Sequence, residues 1–87
     1  PRYCGSSYIA ESVLLALRTP SILHNMTGGL YRQLSENMHT TPSRIERSIR
    51  TAIAATNADG HLTRQIGSPP TNKTCLQFLL KILNTYH

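Results

Sequence analysis

The chain is short of acids. Only four Asp and Glu stand among 87 residues, against nine Lys and Arg. So few carboxylates offer no pair for general acid–base chemistry, and no Ser/His/Asp set lies at an interpretable spacing, so an enzyme is not expected. Cysteine is scarce too: Cys4 and Cys75 are too few for a disulfide framework. Cys75 falls inside an apolar segment and reads as a buried thiol, whereas Cys4 lies near a chain end. His24, His39, His61 and His87 are scattered without metal-ligand spacing to the cysteines, so neither metal nor cofactor is expected. No apolar run approaches the ~20 residues of a membrane span, and no secretory signal pattern is visible. No repeat or low-complexity tract appears. Gly28-Gly29 lacks the preceding strand and the downstream Gly-Lys of a phosphate loop. The chain opens at Pro1 without Met, which points to an excised or processed piece; a cytoplasmic location is expected.

What is present is basic and periodic. The formal net charge is +5 and the isoelectric point is near 9.8, which favours a polyanionic partner. Seven of the nine cations are arginine, the side chain suited to planar, forked recognition. Leu and Ile recur at helical spacing, so residues 1–87 read as one small domain with a thin core. The fold class expected is all-α, with five to six short helices.

The organising stretch is Thr41 to Thr56. Thr41 is placed to cap a helix, and Pro42 suits the first helical position, where its missing N–H costs nothing. Ser43 and Glu46 offer an alternative capping box. Ile45, Ile49, Ala52, Ile53 and Thr56 form one small-to-apolar face. At about 100° per residue the opposite face collects Arg44, Arg47, Arg50, Thr51 and Ala54, with Ser43 and Glu46 toward one flank. Such a strip is built to enter a DNA major groove, where Arg pairs with guanine and Glu accepts from cytosine N4. A solvated basic face is the plainer alternative, and Glu46 and Arg50, four apart, are also placed to pair with each other. The upstream segment favours DNA. Leu30 to Met38 reads as a shorter helix with Leu30, Leu34 and Met38 inward; Tyr31 either packs on the next helix, the favoured use, or reaches a DNA phosphate with its hydroxyl; and His39-Thr40 is a brief break. Two helices joined so closely suggest a helix-turn-helix.

The remaining elements are read in the same way. Residues 1–7 are expected to be a flexible lead, with Ser7 capping a helix over Tyr8 to Arg18. Ile9, Val13, Ala16 and Leu17 form its inner face, widened by Leu14. Thr19-Pro20 starts a short second helix to about Met26, with Ile22, Leu23 and Met26 inward. Thr27-Gly28-Gly29 is a break, or else the first turn of the next helix. Gly60 is a natural left-handed stop, and His61 to Ile66 is one turn with Leu62 and Ile66 inward. Gly67 to Pro70 is a stiff connector. Thr71 or Asn72 caps the last helix, Lys73 to about Asn84. Its apolar positions, Leu76, Leu79, Leu80, Ile82 and Leu83 with Phe78, either close the core or also form a self-association face.

The run Leu30-Tyr31 … His39 to Ile53 resembles the helix-turn-helix of the stage 0 sporulation protein A effector domain. Pro70-Thr71-Asn72 is similar to the family's run before its last helix. The resemblance spans roughly residues 8 to 84 and is most specific over 40–53. It implies a sequence-specific DNA-binding transcription regulator with a recognition helix at about 42–56, dimeric on double-stranded DNA at a short operator box. It further implies control by a phosphorylated receiver domain that these residues do not contain; RNA polymerase is a candidate acidic partner for the basic strip. Arg44, Glu46 and Arg47 match positions expected at base edges. Thr41, Ser43, Arg50, Thr51 and Lys73 match positions expected at the DNA backbone. Thr51 stands where the family usually has His, and the loop before Pro70 is shorter than usual. Two other readings remain: a helical protein-interaction module whose basic face meets an acidic partner, and a related DNA-binding regulator unconnected with sporulation.

Overall fold

The computed structural model describes residues 4–85. They are mostly helical, with no strand among them, so the fold is all-α. Five α-helices follow in order: α1 Gly5–Arg18, α2 Arg32–Met38, α3 Pro42–Thr56, α4 His61–Ile66 and α5 Asn72–Thr85. A 3₁₀ turn, Pro20–His24, and a π-helical turn, Met26–Tyr31, link α1 to α2.

The core forms where α1, α2, α3 and α5 meet. Leu30, Leu34, Ile45, Ile49 and Leu76 are fully buried, and Tyr8, Val13, Ala16, Leu23, Tyr31, Met38, Ile53 and Cys75 complete it. Burying one such aliphatic side chain contributes about 1.5–3 kcal/mol, so this small set carries much of the fold. Ser12 is also fully buried, and its hydroxyl donates to the Tyr8 carbonyl at 2.6 Å, which removes the cost of an unpaired polar group.

Helix α1 departs from the sequence reading in two ways. It starts at Gly5, with Cys4 rather than Ser7 as the N-cap, so positions 5–7 are helical; residues 1–3 of the expected lead lie outside the described residues. Its inner face is also rotated. Tyr8, Ser12, Val13 and Ala16 face inward, Ile9 is partly buried, and Leu14 and Leu17 are exposed instead of inward. The cause is close packing. A Cβ on Gly5 would collide with the Ser48 carbonyl oxygen and come within 2.6 Å of the Ala52 Cβ, so α1 rests its first turn directly on α3. Helices approach this closely only through small side chains.

The link to α2 differs as well. The second helix is a 3₁₀ turn that stops at His24, and Thr19 makes no side-chain capping bond. Gly28 and Gly29 do not break the chain but lie inside the π turn. Asn25 organises it: its side-chain oxygen accepts from Gly28 N–H at 3.1 Å, and its carbonyl accepts from Gly29 and Leu30 N–H at 2.9 and 3.1 Å. The wider turn delivers Leu30 and Tyr31 to the core.

Further along, Gly60 and Gly67 adopt left-handed φ of 77° and 93° and bracket the single turn of α4. Asn57 holds that turn by donating to Thr63 Oγ1 at 2.8 Å and accepting from Thr63 N–H at 3.0 Å. Thr71 caps α5. Its Oγ1 accepts from Thr74 N–H at 3.1 Å, while Thr74 Oγ1 accepts from Thr71 N–H at 2.8 Å, a reciprocal capping box. Ile82 and Leu83 on α5 are exposed rather than part of the core.

Candidate nucleic-acid interface

Helix α2 ends at His39, a non-glycine residue in the left-handed region with φ 54° and ψ 49°. Its N–H and that of Thr40 both donate to the Ser35 carbonyl, so the reversal closes in three residues, His39 to Thr41. Thr41 is extended, and its Oγ1 accepts from Arg44 N–H at 3.3 Å, with Pro42 in the first helical position. The start of α3 is therefore the one its sequence specifies. Thr41 Oγ1 acts there as an acceptor, which leaves its hydroxyl proton available to an outside oxygen.

Helix α3 buries Ile45, Ile49 and Ile53 and turns Ser43, Arg44, Arg47, Arg50, Thr51 and Ala54 to solvent. Thr56, expected on the inner face, is exposed and donates to the Ala52 carbonyl at 2.9 Å. Among the described residues, Arg44 and Arg47 carry no ion pair or hydrogen bond through their guanidinium groups. Glu46 sits on the flank, its carboxylate 2.9 Å from Arg50 Nη1. Both side chains are well solvated, so this pair holds a rotamer more than it stabilises the fold.

Grooves border the strip on both sides. On one side Glu46 and Arg50 share a shallow groove with Tyr31, Thr71 and Lys73, so Arg50 and Lys73, far apart in sequence, converge at the start of α5. On the other side Arg47, Ser48 and Thr51 face Cys4 and Ser6 at the start of α1. All the residues singled out from the sequence thus lie along α3 or at its edges: Arg44, Arg47 and Thr51 centrally, Thr41 and Ser43 at the N-terminal end, Glu46, Arg50 and Lys73 on the α5 side.

Tyr31 does not face outward. It is buried, and its hydroxyl accepts a hydrogen bond from Asn72 Nδ2 at 2.9 Å. Burial pushes its phenol above the ordinary value, and the Asn72 bond opposes that only in part. Asn72 Nδ2 also donates to the Glu46 carbonyl at 3.1 Å. That role was not visible in the sequence, where Asn72 reads as a local cap; nothing in the residue pattern signals a contact 26 and 41 positions away. Cys4 was likewise not linked to the strip. It is exposed, and the amides and hydroxyls of Ser7 and Ser6 lower its thiol to about 7, the Ser7 amide foremost.

A family model described as "Sporulation initiation factor Spo0A C terminal" matches residues 1–83. The chain belongs to this family. The match extends through the start of α1, where the motif resemblance gave no guide. The Spo0A C-terminal domain is the DNA-binding effector part of a sporulation response regulator, so this member is a DNA-binding regulatory domain of a non-catalytic family. No solved structure matches the chain significantly. Among the described residues no helix is long and apolar enough to cross a membrane.

Proposed function

We propose that α3 is the recognition helix and lies in the DNA major groove, with Arg44 and Arg47 forked onto base edges and Glu46 reading alongside them. The observation that carries this reading is the exposed arginine strip of α3, set opposite the Ile45–Ile49–Ile53 face and introduced by a three-residue turn from α2. Fifteen residues give α3 a length of about 22 Å, enough to span the groove, while the arginines crowd toward its N-terminal half, where recognition helices touch bases.

The backbone contacts follow from the two edges. Arg50 and Lys73 share one groove and would straddle one phosphate, with the free N–H groups of the α5 start nearby. Thr41 offers its hydroxyl proton, and Ser43 and Thr51 offer hydroxyls beside the central strip. Thr51 is shorter than the His usual in the family and reaches less far. The domain binds double-stranded DNA as a dimer in transcription of sporulation genes, and Leu14, Leu17, Ile82 and Leu83 leave apolar area for self-association. A receiver domain elsewhere in the full protein, contact with RNA polymerase and a cytoplasmic location belong to the same reading.

The residue roles are separable by salt dependence. Arg50→Ala and Lys73→Ala should weaken operator and scrambled duplexes alike and reduce the salt slope by about one each. Arg44→Ala should lower operator affinity by a factor that reflects about 1–3 kcal/mol and leave the slope little changed. Parallel loss in all three variants would refute the division between bases and backbone. Tight binding of an acidic protein with no DNA binding at low salt would favour the interaction-module reading.

A further inference from the structure

Among the described residues, the Asn72 carboxamide is the one side chain whose hydrogen bonds tie α5 to both parts of the helix-turn-helix. Its two donor protons are spent on the Tyr31 hydroxyl, at 2.9 Å, and the Glu46 carbonyl, at 3.1 Å. Tyr31 closes the π turn that feeds α2, and Glu46 lies between Arg44 and Arg47 on α3. Asn72 is the first residue of α5, where an Asn side chain ordinarily caps its own helix. Here Thr71 and Thr74 already cap each other, so the carboxamide is free for these long-range bonds.

We infer that Asn72 is a positioning residue for DNA readout: by clamping the Glu46 backbone to Tyr31 it fixes the rotation and advance of α3, and so the aim of Arg44 and Arg47. The inference rests on the reading of α3 as the recognition helix. Its physical ground is directionality. Ile45, Ile49 and Ile53 hold α3 by apolar contact, which tolerates small rotations and slides. Forked pairing of Arg with a guanine edge tolerates only about 0.5 Å and 10–20°. Two bonds onto one carboxamide supply the missing constraint at the arginines themselves. Phosphate contacts are more forgiving, because a charge attracts over several ångströms. Loss of the clamp should therefore damage discrimination and spare non-specific binding.

The test compares wild type, Asn72→Ala and Tyr31→Phe, each shown folded by circular dichroism at the assay temperature. Affinity is measured for an operator duplex and a scrambled duplex at several salt concentrations. Asn72→Ala should reduce the operator-to-scrambled ratio at least tenfold, with scrambled affinity and salt slope unchanged within twofold. Tyr31→Phe, which removes only one acceptor, should reduce the ratio about threefold and carries the test alone if Asn72→Ala does not fold. A DNA-free readout accompanies these: amide hydrogen exchange over Arg47 to Arg50 should accelerate more than tenfold in Asn72→Ala while the centre of α1 stays unchanged. An unchanged ratio in a folded variant, equal losses on both duplexes, or uniform acceleration across the domain overturns the inference. Wild type that fails to discriminate would overturn the recognition-helix reading and this inference with it. Discriminating wild type beside an equally discriminating Asn72→Ala would overturn this inference alone.

Discussion

Gly5→Ala sets two familiar effects against each other. Ala is favoured over Gly in a helix interior by about 0.8–1.0 kcal/mol, and by less at the first helical residue, where the backbone is only partly held. Against this, the new Cβ would collide with the Ser48 carbonyl oxygen and lie 2.6 Å from the Ala52 Cβ. Comfortable carbon contacts sit at about 3.5–4.0 Å, so α1 and α3 must part by roughly 1 Å. Neither neighbour is the tip of a flexible side chain; both are fixed to the α3 backbone. Overpacking of this kind costs about 1–3 kcal/mol, and fraying of the first turn of α1 sets its ceiling. The net expectation is destabilisation of about 1 kcal/mol, a fall in Tm of roughly 4–8 °C for a domain of this size. Urea and thermal denaturation followed by far-UV circular dichroism measure it. Ser6→Ala, at the neighbouring exposed position, is the control and should stay within about 0.5 kcal/mol of wild type. A Gly5→Ala domain as stable as wild type, or more so, would refute the close-approach argument.

Two further outcomes follow from titratable groups. Cys4, exposed with its thiol lowered to about 7, should be alkylated by iodoacetamide with a rate half-maximal near that pH, while buried Cys75 reacts only on unfolding. Equal labelling rates in the native domain, or a Cys4 midpoint in the ordinary thiol range, would contradict this. Burial raises the Tyr31 phenol and the Cys75 thiol, so the folded state keeps their protons longer than the unfolded chain does. Their contribution is complete below the unfolded values and is lost as pH rises from there through the folded ones, so stability should decline above about pH 9. Tyr31→Phe should flatten the upper part of that decline in urea melts, and a decline parallel to wild type would count against a buried Tyr31 hydroxyl.

How legible the molecule was depended on how local the cause was. Thr41, Pro42 and the Ile45–Ile49–Ile53 spacing act within one or two turns, and α3 begins and ends where they imply. Gly60 was readable for the same reason, and Thr71 was one of two caps the sequence offered, whereas Gly67 read only as part of a connector and not as a left-handed stop. The start of α1 was not. Gly5 is a poor helix former, and it is helical because α3 lies against it, a tertiary cause outside any local window. Leu14 and Leu17 misled in the opposite sense. Their apolarity pointed inward, but close packing turned Tyr8 and Ser12 to the core instead, beside the expected Val13 and Ala16. Gly28-Gly29 read either as a break or as the first turn of the next helix, because a π turn has no strong sequence signal; the second reading is nearer, and Asn25 supplies the cap. At the interface, the arginine strip was visible as helical periodicity. The convergence of Lys73 with Arg50, and the Asn72 bonds to Tyr31 and Glu46, required the packing of α5 on α3.

The most direct test of the central claim is fluorescence anisotropy of the domain titrated with a labelled operator-box duplex and a scrambled copy, at several salt concentrations, with Arg47→Ala alongside. Arg47 is exposed and unpaired among the described residues, so its loss should leave stability within about 0.5 kcal/mol. The account predicts at least tenfold tighter binding of the operator box by wild type, and loss of that preference in Arg47→Ala with scrambled binding little changed. Equal, steeply salt-dependent binding of both duplexes by wild type, or a preference that survives in Arg47→Ala, would contradict it.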